Sequence, residues 1–137
     1  MIGILIITHG TLGDSLIECA AHVMNKDQEQ LACLAVCTHD DPDNLLPKAL
    51  DLATKLNTGD GVLILSDMYG ATPCNIVAKL LQPGLVEGVA GVNLPMLVRA
   101  ITYRHESLAT LVEKAVSGGR EGVVYFNREN CEHYGQV

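Results

Sequence analysis

Two kinds of apolar pattern alternate along this 137-residue chain. One is the unbroken run. Gly3-Ile4-Leu5-Ile6-Ile7, Leu31 to Cys37 and Val62-Leu63-Ile64-Leu65 show no polar alternation, as expected of strands buried on both faces of a parallel sheet. The other is helical spacing. Leu16, Ile17, Ala20, Ala21 and Val23-Met24 mark a first helix, capped by Thr11 or Asp14 and closed by Asn25-Lys26-Asp27. Leu45, Leu46, Ala49, Leu50, Ala53 and Leu56 trace a second behind Pro42 and Asp43, ending in the turn cluster Asn57 to Gly61. Thr72-Pro73 predicts a third helix start, with a hydroxyl at the cap and Pro at the first helical position. That helix runs through Ile76, Val77, Leu80 and Leu81 and stops at Gln82-Pro83-Gly84. Leu85 to Val92 is a weaker fourth strand, interrupted by Gly88 and Gly91. Asn93-Leu94-Pro95 opens a fourth helix through Leu97, Val98 and Ile101. Ser107 opens the last, which passes through Leu108, Leu111, Val112, Ala115 and Val116 and ends at Gly118-Gly119. Gly122-Val123-Val124-Tyr125-Phe126 reads as a short final strand, and the polar tail from Asn127 carries no pattern.

This alternation predicts an α/β fold: a single doubly wound, mainly parallel sheet in the order 2-1-3-4, with helices on both faces. Residues 1–137 hold no repeat, linker or low-complexity segment, so one domain is expected. The short C-terminal strand follows a Gly-Gly hinge. It pairs either within its own subunit or, antiparallel, at a neighbour's sheet edge in an exchanged dimer.

Composition narrows the function. Hydrophobic residues make up 48% and aromatics only 4%, which suits a sheet packed with Val, Ile, Leu and Ala. A net charge of -7 without any Lys or Arg cluster argues against nucleic-acid binding. No apolar stretch reaches the length of a membrane span, and the chain opens directly into a strand pattern without a basic leader. The five cysteines form no CxxC pair, and four fall in or at the start of predicted elements, where buried thiols are expected. A reducing cytoplasm is the expected compartment.

The chemistry gathers at two strand ends. His9 follows the first strand and Asp67 the third. In the order 2-1-3-4 these strands are neighbours whose crossovers leave on opposite faces, so both residues are expected in the crevice at the switch point. A carboxylate beside an imidazole fixes its tautomer and leaves the second nitrogen free as nucleophile or base. Gly70-Ala71-Thr72, ahead of Pro73, would present backbone amides at a helix start, where an anion is favoured. Nucleophile, orienting carboxylate and anion cradle together describe a phosphoryl acceptor on histidine, needing neither metal nor cofactor.

These residues sit in four stretches that resemble one family, the IIA component of the mannose-type bacterial phosphotransferase system. The stretches are Thr8-His9-Gly10, Ser66-Asp67-x-Tyr69-Gly70-Ala71-Thr72-Pro73-x-Asn75, Gly91-Val92-Asn93-Leu94-Pro95-Met96-Leu97 and Gly119-Arg120-Glu121-Gly122-Val123. The resemblance implies a cytoplasmic phosphocarrier serving a membrane-associated complex in sugar uptake, or serving regulation. His9 would accept a phosphoryl group from phospho-HPr on Nε2, with Asp67 hydrogen-bonded to Nδ1, and pass it to a IIB partner. It also implies a homodimer that exchanges a C-terminal strand near Gly122 to Phe126. Two departures stand out: Ala71 replaces a second Gly, and no IIB module follows within these residues.

Three other readings compete. A chelatase-like metal-handling enzyme would use His9 as a ligand, together with His39 or His105. A phosphohistidine phosphatase would need an Arg where Thr8 stands, and no Arg lies near the cleft motifs. A zinc module could be built on Cys33-x3-Cys37-x-His39, although same-face strand cysteines are the better account. His22, His105 and His133 read as surface or helix residues, Tyr69 as lining the cleft or packing beneath its loop, and Met96 as core or partner contact.

Overall fold

A computed structural model describes residues 1–129. Nine elements follow in order: β1 Gly3–His9, α1 Leu12–Met24, β2 Leu31–Val36, α2 Pro42–Leu56, β3 Val62–Ser66, α3 Thr72–Leu80, β4 Val86–Ala90, α4 Leu94–Tyr103 and α5 Leu108–Glu121. The four strands form one parallel sheet in the order β2-β1-β3-β4, as the sequence pattern predicts.

The two central strands explain the unalternating runs. On one face Ile4, Ile6, Leu63 and Leu65 pack against Leu16 and Ala20 of α1, Leu97 and Ala100 of α4, and Leu111 and Ala115 of α5. On the other, Leu5, Ile7, Val62 and Ile64 meet Ala49 and Ala53 of α2 and Ile76, Val77 and Leu80 of α3. Each fully buried Val, Leu or Ile contributes about 1.5–3 kcal/mol of apolar transfer. Every crossover is a helix, so the carboxyl ends of the strands share one edge, and all the site motifs lie there.

Several local readings need correction. Thr11 occupies the N-cap of α1 but its side chain makes no cap bond, and Asp14 accepts instead from the Cys33 thiol at 3.1 Å. Thr72 is the first helical residue of α3 rather than its cap; Ala71 holds that place and no side chain caps the start. By contrast Asp41, Asn93 and Ser107 cap α2, α4 and α5 through their side chains.

Gly118-Gly119 does not end α5, which continues to Glu121. Those glycines serve helix packing: a Cβ at 118 would stand 2.9 Å from Arg99 Cβ, and one at 119 would stand 2.6 Å from Met96 Cε. The expected final strand at 122–126 is absent from this sheet. Residues 123–127 form no strand, and Val123, Val124, Tyr125 and Phe126 are exposed by 54–87%. A strand needs a partner edge, and the sheet of this chain does not supply one to that segment. Cys19 and Cys37 are exposed and Cys33 and Cys74 half-buried, so the thiols are less buried than expected. Cys131 and His133 lie outside the described residues.

Candidate functional site

β1 ends on His9, which pairs in register with Val36 at the end of β2, while β3 ends one residue before Asp67. The chain turns immediately after His9 because Gly10 takes the left-handed conformation, with φ of 51°. The Gly10 amide then donates to the Val36 carbonyl at 2.9 Å, which ties the turn to β2.

Asp67 reaches across to this turn. Its Oδ2 accepts from the His9 backbone amide at 3.0 Å and lies 2.8 Å from His9 Nδ1. Its Oδ1 accepts from the Met68 amide at 2.9 Å. Partial burial pushes the Asp67 carboxyl up, but the His9 amide, the His9 ring and the Met68 amide outweigh it and hold it below its ordinary value of 3.8. An ionised carboxylate only accepts, so the Nδ1–H tautomer of His9 is the one this contact selects. Nε2 then keeps its lone pair, and among the described residues it makes no hydrogen bond. The Asp67 side chain is 14% exposed and the His9 side chain 52%, so the carboxylate is sheltered while the ring stands open.

Gly70, Ala71 and Thr72 follow Asp67 in the same loop, yet no hydrogen bond joins them to His9. Gly70 has φ of 84°, a conformation that favours glycine. The first amides of α3 lack acceptors by the geometry of any helix start, and no side chain takes them up. The Ala71 amide is already turned toward the Met68 carbonyl at 3.4 Å, which leaves it less available than its neighbours. Tyr69 is 86% exposed and so does not pack beneath the loop, whereas Met96 is buried in the core.

The metal-centred readings find little support in this arrangement. Among the described residues no three His, Cys, Asp or Glu side chains converge as metal ligands. His39 and His105 therefore do not complete a ligand set with His9, and Cys33, Cys37 and His39 do not form one together. A groove of about 450 Å³ does exist, but between α1 and α4, lined by Val23, Leu94, Pro95, Val98, Arg99, Thr102 and Tyr103. Neither His9 nor Asp67 lines that groove. No helix among the described residues is long and apolar enough to cross a membrane.

One feature of the site escaped the sequence pattern. Asp67 holds the backbone of His9 as well as its ring, so the carboxylate locks the turn and the imidazole together. Only the spatial neighbourhood of β1 and β3 reveals that double contact.

Known proteins share this framework. The family model EIIA-man, described as PTS system fructose IIA component, matches residues 3–116. The PTS system mannose-specific EIIAB component of Escherichia coli (strain K12) is 34% identical over 125 residues, 89% of this chain but 38% of that relative. The chain thus spans well under half the length of that protein. Among solved structures, phosphotransferase system component EIIA from Streptococcus agalactiae superposes with a TM-score of 0.81 at 24% identity, covering 91% of this chain and 97% of that one. The mannose/sorbose specific IIA subunit from Enterococcus faecalis gives 0.82 at 20% identity, covering 92% and 95%. At such identities the structures attest the fold alone. The family match is broader, because it takes in all four strands together with His9 and Asp67, and the chain belongs to the EIIA-man family of phosphotransferase-system IIA components.

Proposed function

We propose that this chain is a phosphocarrier, in which His9 Nε2 takes a phosphoryl group from the phosphohistidine of HPr and delivers it to a IIB partner. The 2.8 Å contact between His9 Nδ1 and Asp67 Oδ2 carries this reading. It leaves the second ring nitrogen unprotonated on a half-exposed side chain, where a protein-bound donor can approach. In the transfer, the Nε2 lone pair forms a new P–N bond as the donor's P–N bond breaks, and that electron pair returns to the donor ring. No proton leaves His9. The proton remains on Nδ1, hydrogen-bonded to the Asp67 carboxylate, whose charge stabilises the positive charge the ring gains.

The start of α3 is the natural site for the phosphoryl oxygens. The amides of the Gly70–Thr72 segment and the helix dipole favour an anion there. No Lys or Arg occurs in 9–15 or 66–75, so these two stretches supply no Arg fork to trap the phosphoryl group. A carrier that must hand its cargo on gains from that. The EIIAB designation of the Escherichia coli relative supports a IIB acceptor. Such partners imply a cytoplasmic role, in a membrane-associated sugar-uptake complex or in regulation fed by the same phosphoryl group. The exposed Val123, Val124, Tyr125 and Phe126 support a homodimer in which this segment joins the sheet of a second copy, and sedimentation equilibrium at twice the monomer mass is the check.

The test of the carrier role is direct. The purified chain is incubated with phosphoenolpyruvate, enzyme I and HPr, and its intact mass is read. Wild type should gain one acid-labile, base-stable phosphoryl group, and His9→Ala none. Labelling that survives in His9→Ala moves the acceptor elsewhere and defeats the reading.

A further inference from the structure

Thr8 is the only polar side chain of β1 apart from His9, and it is completely buried. Its hydroxyl oxygen accepts the Gly13 amide at 3.0 Å. That amide belongs to the first turn of α1, where an N-cap side chain normally serves, but Thr11 at the cap makes no such bond. The hydroxyl of the strand therefore substitutes for the missing cap. Gly13 is pressed against it: a Cβ there would lie 3.3 Å from Thr8 Oγ1 and 3.0 Å from Cys33 Cβ.

The bond closes a short loop, residues 8 to 13, and His9 lies inside that loop. Other bonds hold the same region: the His9 amide and ring to Asp67, the Gly10 amide to Val36, the Ser15 amide to the Thr11 carbonyl and, just past the loop, the Cys33 thiol to Asp14. Without the hydroxyl, the buried Gly13 amide has no acceptor, and a buried unpaired donor is strongly disfavoured. The shortest relief is a shift of the first turn of α1 toward water. That shift pulls on Thr11, Gly10 and His9, because the three connect the strand to the helix. We propose that Thr8 is a positioning residue for phosphoryl transfer, holding the His9 turn so that the ring meets Asp67 and presents Nε2 in one orientation. The proposal rests on the phosphocarrier reading above.

Three variants test it. Thr8→Val keeps the shape and removes the acceptor, whereas Thr8→Ser keeps the acceptor and removes a methyl. Thr8→Cys offers only a weak sulfur acceptor and answers the same question should Thr8→Val not fold. Single-turnover transfer from phospho-HPr is measured below the unfolding transition, across donor concentrations. Thr8→Val should lower the maximal rate about ten- to a hundredfold, the scale on which small misplacements act. The donor concentration at half-maximal rate should stay near that of wild type, and Thr8→Ser should recover most of the rate. Nitrogen chemical shifts of His9 read the ring without any transfer: the Nδ1–H tautomer should lose dominance in Thr8→Val and keep it in Thr8→Ser.

A Thr8→Val rate equal to wild type, or a Thr8→Ser rate as low as that of Thr8→Val, overturns the positioning role. Unchanged His9 shifts in Thr8→Val do the same even if transfer slows. Labelling of the wild type at a residue other than His9 is a separate failure. It removes the phosphocarrier reading and with it the role of Thr8 in transfer, while the shift measurement still reports whether the hydroxyl orders the ring.

Discussion

Asp67→Asn isolates what the carboxylate charge does at the proposed phosphoryl acceptor. The side chains have nearly the same shape, but Asp67 accepts three hydrogen bonds that an amide cannot all reproduce. If the Asn oxygen takes the place of Oδ2, both His9 bonds survive in neutral form while the NH₂ confronts the Met68 amide, donor against donor. If the amide flips, its NH₂ faces the His9 ring and selects the tautomer with the proton on Nε2, which is no nucleophile. A hydrogen bond to a charged group contributes about 1.5–3 kcal/mol against about 0.5–1.5 for a neutral one. The difference of roughly 1–2 kcal/mol lowers the transfer rate about 5- to 30-fold, at about 1.4 kcal/mol per tenfold. Rapid-quench transfer of labelled phosphate from phospho-HPr at neutral pH measures it. Stability gives a second reading with a definite sign. A carboxyl held below its ordinary value stabilises the fold above the unfolded value of 3.8 and loses that contribution as pH falls through the lower folded value. Wild type should therefore be more stable than Asp67→Asn at pH 7, and the gap should narrow in acid below the ordinary Asp range. A variant rate within twofold of wild type, or a gap that stays constant into strong acid, refutes the reasoning.

Two further predictions follow from side chains outside that pair. Arg104 is 2% exposed and donates to backbone carbonyls, twice to Ile2 and once each to Glu29 and Gln30, at 2.5–3.0 Å. Arg104→Met should cost about 3–5 kcal/mol in urea unfolding while leaving phosphoryl transfer intact, since those carbonyls lie at the amino ends of the strands; a loss below about 1 kcal/mol contradicts it. Burial, then the bond to Asp14, pushes the Cys33 thiol up to about 12, so iodoacetamide at pH 8 should label exposed Cys19 and Cys37 and spare Cys33. Peptide mapping decides, and rapid labelling of Cys33 would mean that the Asp14 contact does not persist.

What the sequence discloses here, and what it withholds, divides along a physical line. Strand order and the meeting of His9 with Asp67 are legible because both depend on features that repeat or are local. A strand buried on two faces must be apolar throughout, and each crossover helix announces its own start. The polar residues that end β1 and β3 are then brought together by topology alone. Features that depend on what lies opposite are not legible in the same way. Gly118-Gly119 has the composition of a helix stop, yet Gly118 stands where Arg99 Cβ comes too close for another Cβ, and Gly119 where the Met96 methyl would have to move aside. Arg104 answers carbonyls at positions 2, 29 and 30, and a carbonyl has no letter in a sequence. Thr8 looks like one more β-branched strand residue, although its hydroxyl does the capping that Thr11 was positioned to do. The segment from Val123 to Phe126 is the sharpest case. Its composition specifies a strand, but propensity names no partner, and the sheet of a single chain leaves these four side chains largely in water. Exposed apolar surface of this kind is disfavoured in water, and the strand exchange proposed above is the arrangement that would cover it.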